Sequence, residues 1–344
     1  EGDGGFYRVE TTEHRIDCSM SEALAYGYQS VSHYSSAVEQ NTAAMMYRMG
    51  YIQSERMPFY RSPILPSDSL FGVKYVMSSI IIPGEEKISN KLFYNPYALP
   101  LGLGVDKKIK KVSLDGKTPF KYQSQLYSAL LGEKTELYEP VEYECLGKTK
   151  WQIHGASQDV IYGFIAMSGE RDVSLEINGE KRGDYTNWNA VKVFSLDFSD
   201  SDTSIVELTG KYADKTTFKP YFCRLDMDKF KEVIDRLRNS GWKPAKVLNG
   251  SIQGTYESDR EGCLFLSIPY DKGWSVMVNG RPEKIYDVLN GLVAVPVKAG
   301  KNDIQMTYHV RGLKIGTIFT VFSIIVALLM VIANRKNANN KGST

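Results

Sequence analysis

The longest apolar run of the chain lies near its C-terminal end. Residues 315–333 (IGTIFTVFSIIVALLMVIA) contain no charged side chain, and only two threonines and one serine interrupt the run. At a rise of about 1.5 Å per residue, a helix of this length spans roughly 28 Å, close to the hydrocarbon thickness of a bilayer. A buried helix of a soluble protein usually carries a polar stripe, which this run lacks. The pattern therefore predicts one transmembrane helix at 315–333.

Basic residues flank the predicted span on both sides, so charge counting alone gives no orientation. They are Arg311, Lys314, Arg335, Lys336 and Lys341. Long folded domains cross a membrane largely regardless of charge, which makes the short basic tail at 334–344 the better guide to the cytoplasmic side. We expect the bulk of the chain to lie outside a bacterial cell membrane and the tail to lie in the cytoplasm.

From about residue 143 the pattern becomes that of β-strands. The alternating residues 173–177 (VSLEI) precede Asn178-Gly179, which is a hairpin-turn signal. About 100 residues later the same arrangement returns, because 274–278 (WSVMV) precede Asn279-Gly280. Two related β-sandwich units of jelly-roll-like form are therefore predicted.

The predicted fold class is mainly β with an α+β N-terminal part and one C-terminal transmembrane helix. The predicted parts are an α+β extracytoplasmic domain at 1–142, a β-sandwich region at 143–310, the transmembrane helix at 315–333 and a cytoplasmic tail at 334–344. Within the sandwich region, the repeat units would cover about 143–228 and 243–310, and an amphipathic helix is predicted at 229–240. That helix has Phe230, Val233, Ile234 and Leu237 on one face.

Composition excludes several classes of function. The formal net charge is only +2, so we expect no nucleic-acid partner. Four histidines lie far apart without the spacing of metal ligands, and no metal site is predicted. The cysteines are also scattered, at Cys18, Cys145, Cys223 and Cys263. They are either buried structural thiols or partly joined in a disulfide, and both readings stay open.

No catalytic motif stands out, and no catalytic residue or cofactor is predicted in this chain. The most unusual stretch is 26–36 (YGYQSVSHYSS), with three tyrosines, one histidine and four serines. Aromatic rings beside hydroxyl groups suit the C–H faces and O–H groups of a sugar, so this stretch predicts a glycan-binding surface. The alternative is a loop whose rings pack onto another part of the protein.

Several stretches in chain order resemble the YfhO family of multi-pass bacterial membrane proteins. They are 6–10 (FYRVE), 26–36, 68–75 (DSLFGVKY), 94–101 (YNPYALPL), 269–274 (PYDKGW), 278–280 (VNG), 295–297 (VPV), 299–300 (AG) and 311–314 (RGLK). The resemblance covers nearly the whole chain and adds one residue to the candidates. The candidate glycan-binding residues are Tyr26, Tyr28, His33, Tyr34, Ser35 and Asn95.

The resemblance implies a large membrane protein similar to the GT-C class of glycosyltransferases, of which this chain would be the C-terminal ectodomain and last helix. The donor would be a lipid-phosphate-linked sugar, and the acceptor an envelope polymer such as lipoteichoic acid. The catalytic carboxylate of that class lies in an early extracytoplasmic loop, so we expect this chain to be non-catalytic by itself. Its expected partners are the bilayer, an N-terminal transmembrane region and an envelope glycopolymer.

A different class of function stays open beside this one. The ectodomain could be a structural or assembly module that docks a partner protein and binds no glycan. A free-standing extracytoplasmic hydrolase is a third reading, motivated only by the layout in two domains. The resemblance favours the glycosyltransferase-like reading.

Overall fold

A computed structural model describes residues 5–13, 21–32, 40–51, 60–168, 172–185, 192–211, 213–248 and 250–341. Within these residues the chain forms 23 β-strands in five sheets together with six α-helices. The predicted fold class, mainly β with helices in the N-terminal part and one apolar C-terminal helix, is confirmed.

The strands and helices have the following bounds. The strands are β1 (Arg8–Thr11), β2 (Val73–Met77), β3 (Glu86–Ser89), β4 (Leu92–Tyr94), β5 (Gly102–Val105), β6 (Tyr138–Pro140), β7 (Tyr143–Cys145), β8 (Lys150–His154), β9 (Ile161–Ser168), β10 (Ser174–Ile177), β11 (Glu180–Asp184), β12 (Val193–Leu196), β13 (Thr203–Thr209), β14 (Thr217–Leu225), β15 (Gly241–Trp242), β16 (Lys246–Leu248), β17 (Ser251–Ser258), β18 (Gly262–Pro269), β19 (Trp274–Val278), β20 (Arg281–Glu283), β21 (Tyr286–Val288), β22 (Leu292–Val297) and β23 (Gly300–Tyr308). The helices are α1 (Glu22–Tyr26), α2 (Gln40–Met49), α3 (Leu65–Leu70), α4 (Pro119–Leu131), α5 (Met227–Asn239) and α6 (Leu313–Lys341).

Two β-sandwiches make up most of the molecule. The first packs a sheet of order β11-β10-β13-β8-β7 on one of order β12-β9-β14-β6, and the second packs β15-β5-β18-β22-β21 on β16-β17-β23-β19-β20. Each sandwich has its own apolar core between its sheets, around Trp151 and Phe222 in the first and around Trp242 and Met306 in the second. The predicted boundary at residue 143 stays a prediction.

Both Asn-Gly pairs form the predicted hairpin turns. Backbone φ is 54° at Asn178 and 81° at Gly179, and it is 52° at Asn279 and 73° at Gly280. Positive φ at both central residues defines the turn that matches the twist of two paired strands. Each asparagine side chain also accepts a hydrogen bond from a backbone N–H of a later strand, from Ile205 of β13 at 2.7 Å and from Asp303 of β23 at 2.8 Å.

The N-terminal part lies between the two sandwiches. Its own sheet has the order β1-β2-β4-β3, with β1 and β2 parallel. One apolar core joins helices α2 to α5 to the outer faces of both sandwiches, since Met45 and Phe230 share it with Tyr162 of the first and Phe265 of the second. Strand β18 is therefore buried on both faces. This two-sided burial explains its continuous apolar sequence, in place of the alternation seen in a half-exposed strand.

Helix α5 covers the predicted amphipathic segment. The side chain of Asp226 caps its first turn, because the carboxylate accepts a hydrogen bond of 3.0 Å from the backbone N–H of Lys229. Phe230, Val233, Ile234 and Leu237 are buried, as their spacing predicts. This packing fixes the direction in which the polar side chains near the C-terminal end of α5 point.

Helix α6 contains a segment long and apolar enough to cross a membrane, and it is the one such segment in the part of the chain that the structure describes. The segment is Leu313–Ala333, and its 18-residue apolar window has a mean hydropathy of 2.7 and no buried residue. Thr317, Thr320 and Ser323 donate their hydroxyl protons to carbonyls one turn earlier, at 2.8 to 2.9 Å. Because these polar groups are satisfied within the helix, the exposed surface is compatible with lipid.

Three cysteines lie among the described residues, and all three are free thiols. Cys263 is buried and Cys223 is half-buried, whereas Cys145 is exposed, so the expectation of a buried thiol is wrong at that position. Burial raises the pKa of Cys223 to about 12. Cys18 lies outside the described residues.

Candidate functional site

A cleft of about 600 Å³ lies where the N-terminal sheet meets the end of helix α5. Its walls come from the segment before β1, from β2 and β4, from the loop after β4 and from the residues that follow α5. The residues that line it, here called the aromatic–basic cleft, are Gly5, Phe6, Tyr7, Gly72, Lys74, Tyr94, Asn95, Pro96, Ala98, Leu99, Pro100, Arg238, Gly241 and Lys243.

The charge of this cleft has one sign. Three of its described lining residues are basic, namely Lys74, Arg238 and Lys243, and none of them is acidic. Because a concave surface with charges of one sign concentrates counter-ions, the cleft favours an anionic ligand. The overall net charge of +2 gives no hint of this local excess.

Tyrosine rings surround the ammonium group of Lys74. Its Nζ lies 5.4 Å from the ring centroid of Tyr7, 5.8 Å from that of Tyr75 and 6.0 Å from that of Tyr94. Tyr75 also contacts the other two rings, with centroid separations of 5.6 Å in each case. The rings stabilise the cation by their quadrupoles and form an apolar wall beside it, so the cleft offers charge and a stacking surface together.

The guanidinium of Arg238 is held at the opposite rim. Its Nη2 donates to the backbone carbonyls of Pro96 and Ala98, and its Nη1 lies 3.8 Å from a carboxylate oxygen of Asp235. These contacts attach the end of α5 to the loop after β4. Lys243, which follows β15, is exposed and completes the basic rim.

Asn95 belongs to this cleft, but its side chain is turned into the protein and is 1% exposed. Its amide donates to the carbonyl of Val73 at 2.9 Å and to Ser69 at 3.2 Å, and its carbonyl accepts from the N–H of Tyr97 at 2.9 Å. A buried amide with this many partners shapes the loop that forms the cleft wall. Its side chain holds this loop in place, and a glycan-binding role for Asn95 stays a prediction.

The other predicted residues lie elsewhere or outside the described residues. Tyr26, at the end of α1, is 54% exposed, and Tyr28 is half-buried, and neither lines the aromatic–basic cleft. His33, Tyr34 and Ser35 lie outside the described residues. A glycan-binding role for these residues stays a prediction.

A buried carboxylate network lies behind the cleft-forming sheet. Asp68 is fully buried and accepts hydrogen bonds from the phenols of Tyr51 and Tyr60, at 2.8 and 2.9 Å, and from the N–H of Ile64 at 2.9 Å. Burial raises the pKa of Asp68 to about 7, although these hydrogen bonds act in the opposite direction. The network ties α3 to segments that precede it in the chain.

Glu10 and Glu85 are the further carboxylates of this region. Glu10 accepts hydrogen bonds from Ser30, Val31 and Ser32. Burial raises its pKa in spite of these partners. Glu85 has both carboxylate oxygens shielded from solvent and without a hydrogen-bond partner among the described residues, and burial raises its pKa well above the ordinary value. Such a carboxyl is stable inside a protein in its neutral form.

No group of three or more His, Cys, Asp or Glu side chains in the described residues is arranged to hold a metal ion.

The residues of the aromatic–basic cleft were not among the predicted binding residues, apart from Asn95. A signal for them was present, because the stretches 6–10, 68–75 and 94–101 that carry the family resemblance all contribute to this cleft. Arg238 and Lys243 carry no comparable signal, since basic residues near the end of a helix are common.

The fold and the cleft together define a mainly β protein with one helix apolar enough to cross a membrane and a cleft whose charged described residues are basic. The chain belongs to the family described as bacterial membrane protein YfhO, which it matches over residues 1–320. It is similar to a protein of Bacillus subtilis (strain 168) described as "Uncharacterized protein YfhO", with 29% identity over 77 residues. That alignment covers 22% of this chain and 9% of the relative, so the chain matches a small part of its length.

Solved structures show only distant similarity. A conserved protein of unknown function from Pseudomonas aeruginosa PAO1 has a TM-score of 0.15 and 11% identity, over 46% of this chain and 72% of that one. An anti-sigma factor domain-containing protein from Clostridium clariflavum has a TM-score of 0.16 and 8% identity, over 68% of this chain and 87% of that one. Similarity at this level carries no argument about fold or function.

Proposed function

We propose that this chain is the extracytoplasmic part of a polytopic, glycosyltransferase-like membrane protein, and that it holds an anionic envelope polymer of the lipoteichoic-acid type. The acceptor would lie in the aromatic–basic cleft. The sugar would come from a lipid-phosphate carrier, and its transfer would take place in the membrane-embedded part of the protein. Under this proposal the chain binds and positions its ligand and catalyses no step by itself.

The proposal rests on the residue composition of the aromatic–basic cleft. Phosphodiester polymers present regularly spaced negative charges and sugar or polyol units between them. A cleft with three basic side chains and three aromatic rings offers a partner to each of these two features. A surface that only docks another protein has no need for charge of one sign beside clustered aromatic rings.

The proposed orientation has the bulk of the chain outside the cell and the tail 334–344, which follows the apolar segment of α6, in the cytoplasm. Support comes from the short basic tail, with Arg335, Lys336 and Lys341, and from the large folded part before the helix. An envelope polymer and its lipid-linked sugar donor would then be on the same side of the membrane as the cleft.

A binding titration with the full chain in detergent tests the proposal. Fluorescently labelled poly(glycerol phosphate) should bind with saturation, and Lys243→Glu should weaken the affinity about tenfold, which corresponds to about 1.4 kcal/mol. Lys246→Glu is the matched control, because Lys246 is also exposed and lies on the neighbouring strand β16, but it does not line the cleft. Raising the salt concentration should weaken the wild-type affinity, because exposed charges are screened.

A cellular measurement separates binding from assembly. In the full-length protein, Lys243→Glu should lower glycosylation of the envelope polymer while the amount of protein in the membrane stays constant. If the purified chain shows no saturable binding and the variant keeps full glycosylation, the proposal fails and a structural or assembly module is the better reading.

A further inference from the structure

A second and larger cleft, of about 890 Å³, lies between the N-terminal part and the first sandwich. One wall contains Thr12, Arg61 and the loop Ser79–Ile81, and the other contains β11 and the segment 194–201. We call this the inter-unit cleft. The described residues that line it are all different from those of the aromatic–basic cleft.

Strands β11 and β12 both contribute to the inter-unit cleft, and each is the edge strand of its sheet. An edge strand presents backbone N–H and C=O groups that no neighbouring strand pairs. The cleft therefore offers backbone donors and acceptors in addition to polar side chains. A small polar ligand can use these groups without displacing any part of the sheets.

An extended peptide is a poor fit to the same edge. Strand β11 has the sequence EKRGD, in which four of five residues are charged and the remaining one is glycine. Charged residues and glycine on an edge strand oppose the addition of a further strand. The backbone groups of this edge are thus accessible to a compact ligand and protected from strand pairing.

The balance of charges differs from that of the aromatic–basic cleft. Among its described lining residues, the inter-unit cleft has five carboxylate and three basic side chains, together with six hydroxyl side chains. An excess of carboxylates opposes a polyanion. Hydroxyl groups both donate and accept hydrogen bonds, and this mixture of partners suits a ligand that is itself rich in hydroxyl groups.

Two apolar side chains lie at the rim of the cleft. Ile80 is 37% exposed and Ile81 is 47% exposed, and both line it. A large aliphatic side chain exposed beside polar groups provides a surface for the C–H face of a sugar ring. The cleft volume falls within the range of small-molecule sites.

From these features we infer that the inter-unit cleft is a second carbohydrate site, which binds an uncharged oligosaccharide. The hydroxyl groups of the sugar would pair with the polar side chains and with the backbone edges of β11 and β12, while a ring face would pack on Ile80 and Ile81. This inference goes beyond the proposed acceptor site and does not depend on it, because the two clefts differ in position and in sign of charge.

The test uses the full chain in a detergent without a sugar head group, so that the detergent does not compete. Maltotetraose, cellotetraose and chitotetraose are the uncharged probes, and saturation-transfer NMR followed by titration calorimetry measures binding. At least one of these probes should bind with saturation at or below about 10 mM. The double variant Lys181→Ala/Asp200→Ala should weaken that affinity about tenfold, through loss of two hydrogen-bonding side chains of the cleft.

The control has the same change in charge at exposed positions of the second sandwich. Lys246→Ala/Asp303→Ala should leave the affinity for the oligosaccharide within about twofold of wild type. Ile81→Ser is an independent variant, which should weaken binding about threefold to tenfold through loss of ring packing, without changing any charge. Thermal melting of each variant shows whether it is folded.

Absence of saturable binding for all three probes overturns the inference. So does binding that a folded double variant and a folded Ile81→Ser both retain, since the sugar must then lie elsewhere. The affinity for poly(glycerol phosphate) should be unchanged in Lys181→Ala/Asp200→Ala. This measurement distinguishes failure of the inference about the inter-unit cleft from failure of the proposed function of the aromatic–basic cleft.

Discussion

The carboxylate of Asp68 accepts a hydrogen bond of 2.8 Å from the phenol of Tyr51, and both side chains are almost completely inaccessible to solvent. Tyr60 donates to the same carboxylate at 2.9 Å. This arrangement joins α3 to the end of α2 in the core that also packs against both sandwiches. Because the carboxyl is buried with tyrosines and other acids, its proton affinity is linked to the stability of the whole fold.

Stability should fall as the pH rises from about 4 to about 7. Burial raises the pKa of Asp68 from 3.8 to about 7, so the folded protein binds this proton more tightly than the unfolded chain does. The stabilisation is fully present below about pH 4 and is lost as the pH rises through about 7. Burial also raises the pKa of Glu85, which acts in the same direction. Melting temperatures of the full chain in detergent between pH 4 and pH 8 check this.

Glu85→Gln should make the protein more stable at pH 8 and should reduce the pH dependence. Neither carboxylate oxygen of Glu85 has a hydrogen-bond partner in the described residues, so the substitution removes a buried charge at high pH without breaking a hydrogen bond. Because burial raises the pKa of Glu85, we expect the free energy of unfolding of Glu85→Gln at pH 8 to exceed that of wild type. Glu86→Gln, at the exposed neighbouring position, is the control and should change little. Equal melting curves for wild type and Glu85→Gln at pH 8 would contradict the prediction.

Gly163→Ala should destabilise the first sandwich. A Cβ at this position of β9 would overlap ring atoms of Phe194, which is 3% exposed and lies within the sandwich core. Relief of the overlap requires the ring or the strand to move, at a cost of about 1–3 kcal/mol. Gly147→Ala is the matched control, because its nearest neighbour would lie 4.0 Å away. Chemical denaturation followed by intrinsic fluorescence measures both variants, and an unchanged midpoint for Gly163→Ala would show that the sandwich adapts.

Asp226→Ala should lower stability by about 1 kcal/mol through loss of the N-terminal cap of α5. The carboxylate of Asp226 accepts the hydrogen bond from the N–H of Lys229, whereas Asp228, within the first turn, is not the capping residue. Asp228→Ala is therefore the comparison, with an expected loss of only a few tenths of a kcal/mol from the helix dipole. The same denaturation measurement applies, and equal losses in the two variants would argue against the cap.

Ile325→Arg should impair membrane insertion of α6. Ile325 lies within the apolar segment Leu313–Ala333, and a charge near the centre of a transmembrane helix costs about 2.5–3.5 kcal/mol in insertion. Ile325→Ala removes similar apolar contacts without adding a charge and should insert normally. The share of protein that stays in the membrane pellet after alkaline extraction measures the difference. Full retention of Ile325→Arg would mean that this face of the helix meets a polar partner.

Local sequence patterns were sufficient to predict the helices and turns whose formation depends on residues close together in the chain. Helix α6 follows from its apolar run, and α5 follows from its apolar spacing. Both Asn-Gly hairpins were also predictable, because a two-residue turn with positive φ at both residues favours this pair. The burial of β18 on both faces, in contrast, depends on which layers pack against it.

The residues of the cleft were harder to predict from the sequence, and Asn95 shows why. Its place in a family-like stretch predicted a binding residue, whereas its side chain is buried and bonded to Ser69, Val73 and Tyr97. Sequence similarity marks a position without saying whether the side chain faces solvent or the interior. The neighbouring residues that do face the cleft, such as Lys74 and Tyr94, lie in family-like stretches of the same kind.

By itself, the sequence determined the mainly β class, the membrane helix, the hairpins and the family, because periodicity, turn chemistry and ordered motifs act over short distances along the chain. Tertiary structure decided the rest. The aromatic–basic cleft unites Tyr7, Lys74, Tyr94 and Arg238, which are far apart in sequence, and the raised pKa of Asp68 depends on which groups exclude water from it. The charge of one sign in this cleft and the buried acid in the core both result from packing between residues far apart in the chain. Local sequence patterns do not predict such packing.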